Sequence, residues 1–422
     1  MRIIENPPRT RWNELVQRGG VDYEGIRPRV ESILEQVEKE GDVALSRVML
    51  AIDGVTAPLE VSQEEVETAC EQVDPKVREA IRTARAHIEA FHRAQLPREI
   101  RVETAPGVVC IQKPVPISRV GLYIPGGSAP LFSTVLMLAV PAALAGCRER
   151  ILCTPCRKDG SIAPEVLFAT RECGITRIFR IGGAQAVAAM AFGTETVPKV
   201  DKIFGPGNPY VTLAKQLVSG CNTAIDMPAG PSEVMVLADG SAPAAFAAAD
   251  LLSQAEHGKD STAVLACTER DYADKVLQEI ENQKRFLPRD TQVEGSLAHS
   301  FAVVLPDLQD LIDFAEAYAP EHLIVALENA AEAAEGITAA GSVFIGPWSP
   351  ESAGDYASGT NHTLPTVKAA RYTGGVYVGT FLKTCTHQSM TPEASRALAP
   401  LVERMAKGEG LEGHAFAASC RK

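Results

Sequence analysis

Gln254 and His257 close an apolar, Ala-rich stretch, AAFAAADLL, inside the segment DLLSQAEHG. On a helix, positions i and i+3 lie on one face about one turn apart, so this amide and imidazole would point the same way. Gly258 comes next as a helix stop. Such a pair is either a solvated last turn or the start of a ligand set. Six of the eight histidines lie after residue 250, and several keep acidic company. Glu321-His322 follows AYAP, where Pro320 ends a helix and the pair opens a strand. His362 stands seven residues after Asp355 in the Ser/Gly/Pro-rich run GDYASGTNHTLP, and His414 follows Glu409 in the glycine-broken tail GEGLEGH. His299 and His387 lack an acidic sequence neighbour and read as structural or exposed; His87 and His92, on a charged helix, read as solvated.

Gln254, His257, Asp355 and His414 offer O, N, O and N donors, a set suited to a divalent metal of borderline hardness, zinc first. Taken one at a time, a satisfied core or surface side chain is the simpler account of each. Together they carry more weight, because three of the four fall in polar turns or at element ends, where sites are built. Their spacing matches no generic zinc pattern. Cys153-Thr154-Pro155-Cys156 is a C-x-x-C, but no second one accompanies it, so a four-thiolate zinc site is excluded and a redox role is weakly supported.

Glycine-rich turns occur at YIPGGSAP (123–130), IGGAQA (181–186) and FGPGNPY (204–210), each where a strand gives way to a helix. Turns of this kind let backbone N–H groups and a helix N-terminus face a pyrophosphate. The third comes nearest to G-x-G-x-x-G and lacks its last glycine. Singly, each is an ordinary βα turn; three in one half of the chain point toward a nucleotide site without establishing it. The residues alone therefore lead to a nucleotide-dependent, metal-assisted enzyme.

The elements that must position these groups alternate. A helix-rich start (RVESILEQVEKEG, VREAIRTARAHIEAFHRAQ) and a hairpin, IRVETAPGVVCIQKPVPI, lead into short apolar runs: RVGLYI, ERILCTP, TRIFRIGG, KVDKIFGPG, SEVMVLADG, TAVLACT, SFAVVLP, HLIVALE and GSVFIG. Helical stretches separate most of them, the signature of βαβ units and mainly parallel sheets covered on both faces. The expected fold is α/β with two Rossmann-like domains, a helical N-terminal segment and an extended C-terminal tail. The expected boundaries are an N-terminal segment over 1–22, a first domain from 23–122 and 234–376, a second over 123–233, and a helical tail over 377–422. In that tail, Thr391 and Pro392 start a helix as N-cap and N1, and Pro400 bends or breaks it. Gly408, Gly410 and Gly413 loosen the residues around and beyond them. Residues 408–422 are therefore not expected to pack as a regular element on their own subunit.

Composition bounds the rest. The 422 residues, 45% hydrophobic and 22% charged, suit a globular protein of two or more domains. A formal charge of −12 argues against a nucleic-acid partner. The uncharged run 120–147 is broken by Pro125, Gly126, Gly127, Pro130 and Pro141, so it reads as strand, turn and helix rather than a membrane span. Ten scattered cysteines and no apolar leader in MRIIENPPRTRW point to a reducing compartment, the cytoplasm.

The segments RVGLYIPGG, GPSEV, DLLSQAEHG, APEHL, GDYASGTNHTLPT and EGLEGH, in that order, resemble the histidinol dehydrogenase family from about residue 25 to the end of the chain. The resemblance implies a zinc- and NAD-dependent four-electron oxidation of an amino alcohol, through an aldehyde, to a carboxylate. It implies one zinc per subunit on Gln254, His257, Asp355 and His414, and acid–base roles for Glu321 and His322. Ser232, His362 and Glu409 fall on substrate-contact positions, alongside His322 and the metal ligands, and Tyr123, Gln185 and Asn208 on cofactor-contact positions. It also implies a homodimer whose tails cross, carrying Glu409 and His414 into the partner's active site. The chemistry suits the residue types. A neutral imidazole, here His322, can take the hydroxyl proton as hydride leaves, and Glu321 can activate the water that hydrates the aldehyde. One stretch departs: VKAARYTGGVYVGTFLKT and the tail EGLEGHAFAASC resemble paralogues that oxidise a sulfonated diol, sulfopropanediol, whereas Ser232 and GDYASGTNH resemble the biosynthetic enzyme. L-Histidinol is the expected substrate and the sulfonated diol the alternative. A non-catalytic nucleotide-binding protein with a structural metal would leave Glu321-His322 and His362 unexplained.

Overall fold

The structure is a computed structural model that describes residues 1–18, 23–126, 129–221, 223–227 and 230–422. Gly127 and Ser128 of the YIPGGSAP turn lie outside the described residues. The nine apolar runs from RVGLYI onward each contain a strand. Arg119–Tyr123 forms the centre of a five-stranded parallel sheet; Glu149–Cys153 and Arg177–Phe179 come next on one side, Lys202–Phe204 and Ala224–Ile225 on the other. Glu233–Ala238 occupies the same place in a six-stranded parallel sheet. Thr262–Cys267 and Phe301–Val304 lie to one side, His322–Ala326 and Ser342–Ile345 to the other, and Arg2–Glu5 adds the edge beyond Phe301–Val304. Each sheet thus starts in the middle, winds outward twice and then crosses over, the doubly wound order of a Rossmann unit.

These strands read as unbroken apolar runs because both faces are covered. In the six-stranded sheet, Val234 and Val236 face one core with the helix Ala244–Ala255, while Met235 and Leu237 face another with Phe314 and Tyr318. The helices Tyr23–Asp53, Gln63–Gln72 and Pro75–Arg93 pack on the five-stranded sheet, sharing cores with Ile151, Phe179 and Leu122. That corrects the expected grouping of 23–93 with 234–376: the amphipathic faces of these helices fit the other sheet, and sequence order could not say which. Likewise the N-terminal segment contributes a strand to the six-stranded sheet.

The hairpin forms as expected from Ile100–Ala105 and Val108–Pro116, and Leu382–Met390 adds a third, antiparallel strand. The tail therefore opens on a 3-10 turn, Val378–Phe381, and this strand before its helices. Its helix Pro392–Gly408, capped by Thr391, runs through Pro400 without a break, and Glu412–Ser419 forms a regular helix despite the neighbouring glycines. The two helices pack mainly on each other. Leu401, Met405, Leu411 and Phe416 are left exposed. His92 is also corrected: it is buried, with Nδ1 2.8 Å from the Ile88 carbonyl and Nε2 3.3 Å from the Asn361 amide. Among the described residues, no helix is long and apolar enough to cross a membrane.

Candidate active site

Two adjoining cavities share Pro125 and Asn208. The larger, about 710 Å³, lies at the carboxyl ends of the five-stranded sheet and is lined by Tyr123, Gln185 and Asn208, all three of the expected cofactor residues. The Gly183 N–H donates to Tyr123 Oη at 3.1 Å, and burial pushes the phenol up to about 12, so it stays protonated. Gln185 sits in the first turn of the helix Gly183–Phe192. Asn208 caps the helix Pro209–Val218, its Oδ1 accepting from the Val211 N–H at 3.1 Å. Two helix amino termini thus open on this cleft, a setting that favours an anion. Gly205 is required there: at φ 121° a Cβ would sit 2.0 Å from the Tyr123 carbonyl oxygen.

The Cys153 thiol at the end of its strand is fully buried and Cys156 is half-buried. Burial raises both thiols, the opposite of what a reactive cysteine needs.

The smaller cavity, about 360 Å³, opens at the amino ends of the six-stranded sheet. Its lining includes Ser232, Gln254, His257, Glu321, His322, Asp355 and His362. The helix Ala244–Ala255 ends here because Glu256 caps it and His257 turns back, its N–H bonded to the Gln254 carbonyl at 3.2 Å. The helix thus stops before Gly258, which is not in the left-handed conformation of a glycine stop. The Gln254 side chain is fully buried, yet neither amide atom finds a hydrogen-bond partner among the described residues. An unmet buried polar group costs about 1–3 kcal/mol, so this amide calls for a ligand. His257 Nε2 lies 4.0 Å from Asp355 Oδ2. His257, Glu351 and Asp355 each place a donor atom within 4.8 Å of the others. An amide oxygen, an imidazole and carboxylates, partly unpartnered, fit a divalent cation of zinc's character.

Glu351 is the residue that sequence reasoning missed. It stands four before Asp355 on the short helix Glu351–Tyr356, so the pair shares a face; that i, i+4 spacing was the available signal. Expected residues Glu409 and His414 are exposed on the tail and lie outside this cavity lining, so one chain does not bring them to the other three ligands.

His322 opens its strand fully enclosed. Its Nδ1 donates to the Glu233 carbonyl at 3.2 Å and lies 3.6 Å from both Glu321 and Glu351. Nδ1 therefore carries a proton, and Nε2 has no hydrogen-bond partner among the described residues: Asp355 Oδ1, 3.6 Å away, is too far for one. Burial lowers the ring's pKa, but Glu351, Glu321 and Asp355 outweigh it and raise it to about 10. Burial pushes Glu321 up to about 8, although its Oε2 accepts the Glu233 N–H at 2.8 Å. His362 is lowered by burial and so is neutral: Nδ1 donates to the Asp355 carbonyl at 2.9 Å, and Nε2 accepts from Thr134 Oγ1 at 3.2 Å. Thr134, from a helix of the other sheet's unit, was missed as well, and unlike Glu351 it had no sequence signal.

A buried Glu–His pair in a cation-suited pocket between two doubly wound units, adjoining an anion-suited cleft at the carboxyl ends of one of them, is an arrangement suited to an α/β oxidoreductase. The chain belongs to the histidinol dehydrogenase family, whose model matches residues 16–422. It is 50% identical to histidinol dehydrogenase of Bacteroides thetaiotaomicron over 422 residues, covering 100% of this chain and 99% of that one. It is 48% identical to the Escherichia coli enzyme, covering 94% and 92%. The crystal structure of histidinol dehydrogenase from Elizabethkingia anophelis superposes with a TM-score of 0.97 at 46% identity, covering 100% of this chain and 98% of that one.

Proposed function

We propose that this chain oxidises L-histidinol to L-histidine through the aldehyde, using NAD and one zinc per subunit, as a cytoplasmic homodimer with shared active sites. The observation that carries the reading is the unpartnered Gln254 amide facing the same cavity as Glu321, His322 and Asp355. His322 Nε2 takes the hydroxyl proton, and NAD, which Tyr123, Gln185 and Asn208 would hold in the adjoining cleft, would accept the hydride. Glu321 activates the water that hydrates the aldehyde, and a second NAD would supply the acceptor for the second oxidation. Ser232 and His362 contact the substrate from the cavity wall. A zinc ion held by Gln254, His257, Asp355 and His414 of the partner subunit would act as a Lewis acid, orient the substrate and offset the carboxylate charge that keeps His322 protonated. The exposed apolar side chains of the tail favour its docking on a second copy, carrying Glu409 and His414 with it.

The test is NADH formation with L-histidinol as sole substrate, then with sulfopropanediol. Two NADH per histidinol and none from the diol is the expected result. Turnover of the diol alone would move the assignment to the paralogous activity, and one NADH with free aldehyde accumulating would overturn the four-electron reaction.

A further inference from the structure

Glu321 and His322 are both held by the backbone of one residue, Glu233. Its N–H donates to Glu321 Oε2 at 2.8 Å and its carbonyl accepts from His322 Nδ1 at 3.2 Å. The Glu233 side chain is itself clamped. Arg18 meets it with two parallel bonds, Nε to Oε1 and Nη2 to Oε2, both 2.9 Å, with the side chains 7% and 2% exposed. The same guanidinium stacks on Tyr318, 3.5 Å from the ring centre, and donates to the carbonyls of Val16 at 3.0 Å and Ala319 at 3.3 Å. Ala319, at φ 52°, is the left-handed residue that turns the chain out of its helix toward Glu321. Arg18 therefore grips the starts of two adjacent strands, in which Val234 is paired with His322.

We infer that Arg18 is a positioning residue for the reaction: its fork on Glu233 and Ala319 sets the orientation of Glu321 and His322. The inference rests on these two residues being the acid–base pair. Arg18 touches neither, so its effect passes through the Glu233 backbone. A planar fork makes this geometry, and a lysine ammonium keeps the charge without the two parallel bonds. Glu233 Oε1 also accepts the Val367 N–H at 3.1 Å, so the clamp reaches the loop beyond His362.

The experiment is a cycle of R18K and H322A in the full-length enzyme, with histidinol and NAD kinetics and melting temperature for each. R18K is expected to lower kcat by about ten- to a hundredfold, as misplacement of a catalytic group does, while the KM for either substrate changes by less than about threefold. In the H322A background the same substitution should cost clearly less than in the wild type, because one of the two groups it positions is gone. The R18Q/E233Q pair leaves no charge buried alone and should reproduce the loss of kcat if R18K fails to fold. A folded R18K with unchanged kcat, or an equal loss in both backgrounds, would overturn the inference. Wild-type turnover by H322A would overturn the acid–base assignment itself, and the inference with it, whatever R18K does.

Discussion

The two parallel sheets share one strand order apart from the extra edge strand Arg2–Glu5, yet the molecule uses them at opposite ends. The five-stranded sheet offers its carboxyl ends, where Tyr123 and Asn208 line the larger cavity and the helices Gly183–Phe192 and Pro209–Val218 begin. The six-stranded sheet offers its amino ends, where Ser232, Glu321 and His322 line the smaller cavity and the helix Ala244–Ala255 finishes. In a βαβ unit the helices run antiparallel to the strands. One end of each sheet therefore collects helix amino termini, with about half a positive charge each, and the other end collects carboxyl termini with the opposite sign. The first suits a pyrophosphate and the second a cation. Facing unlike ends of two similar units brings both ligand types together across one boundary, which a single unit cannot do.

If this contrast holds, the cleft is complete in one chain and the cavity is not. The sharpest break is subunit mixing. H257A and H414A are each expected to be inactive; refolded together, about a quarter of sites should carry neither defect, and activity should return to about that fraction of wild type. Mixed dimers that form and stay dead would show that the tail serves its own chain. Next in size, H322A should reduce kcat by about a hundredfold or more while NAD affinity is kept, since the loss falls on proton transfer alone. Isothermal titration of NAD beside the kinetics separates the two. Q254A should weaken zinc retention by about ten- to a hundredfold, read as metal content after dialysis against graded chelator, and leave NAD titration unchanged. Full zinc content in Q254A would remove the amide from the ligand set. Smallest is N208A, at the shared wall. Losing one hydrogen bond of about 1 kcal/mol should raise the NAD KM about fivefold, with a melting temperature slightly lowered by the lost helix cap. An unchanged KM would take Asn208 out of the cleft's function.

The sequence by itself determined the hairpin and nine of the parallel strands, because short apolar runs buried on both faces carry their own signal, and it determined the alternating α/β class. The edge strands Arg2–Glu5 and Ala224–Ile225 and the exposed Leu382–Met390 carry no such signal. It also marked His257, Glu321, His322, Asp355 and His362 as a group, because titratable residues placed at element ends have few structural reasons to be there. Local patterning could not say which sheet the helices Tyr23–Asp53 and Pro75–Arg93 would cover, since an amphipathic face specifies burial but not its partner. Nor could it find His92, read as solvated from its charged neighbours but facing the core on the apolar side of its helix. Glu351, Thr134 and the Arg18–Glu233 clamp were likewise decided only by the tertiary structure. Each matters through a contact with a residue distant in sequence or on a different element, and only the packed chain sets those distances.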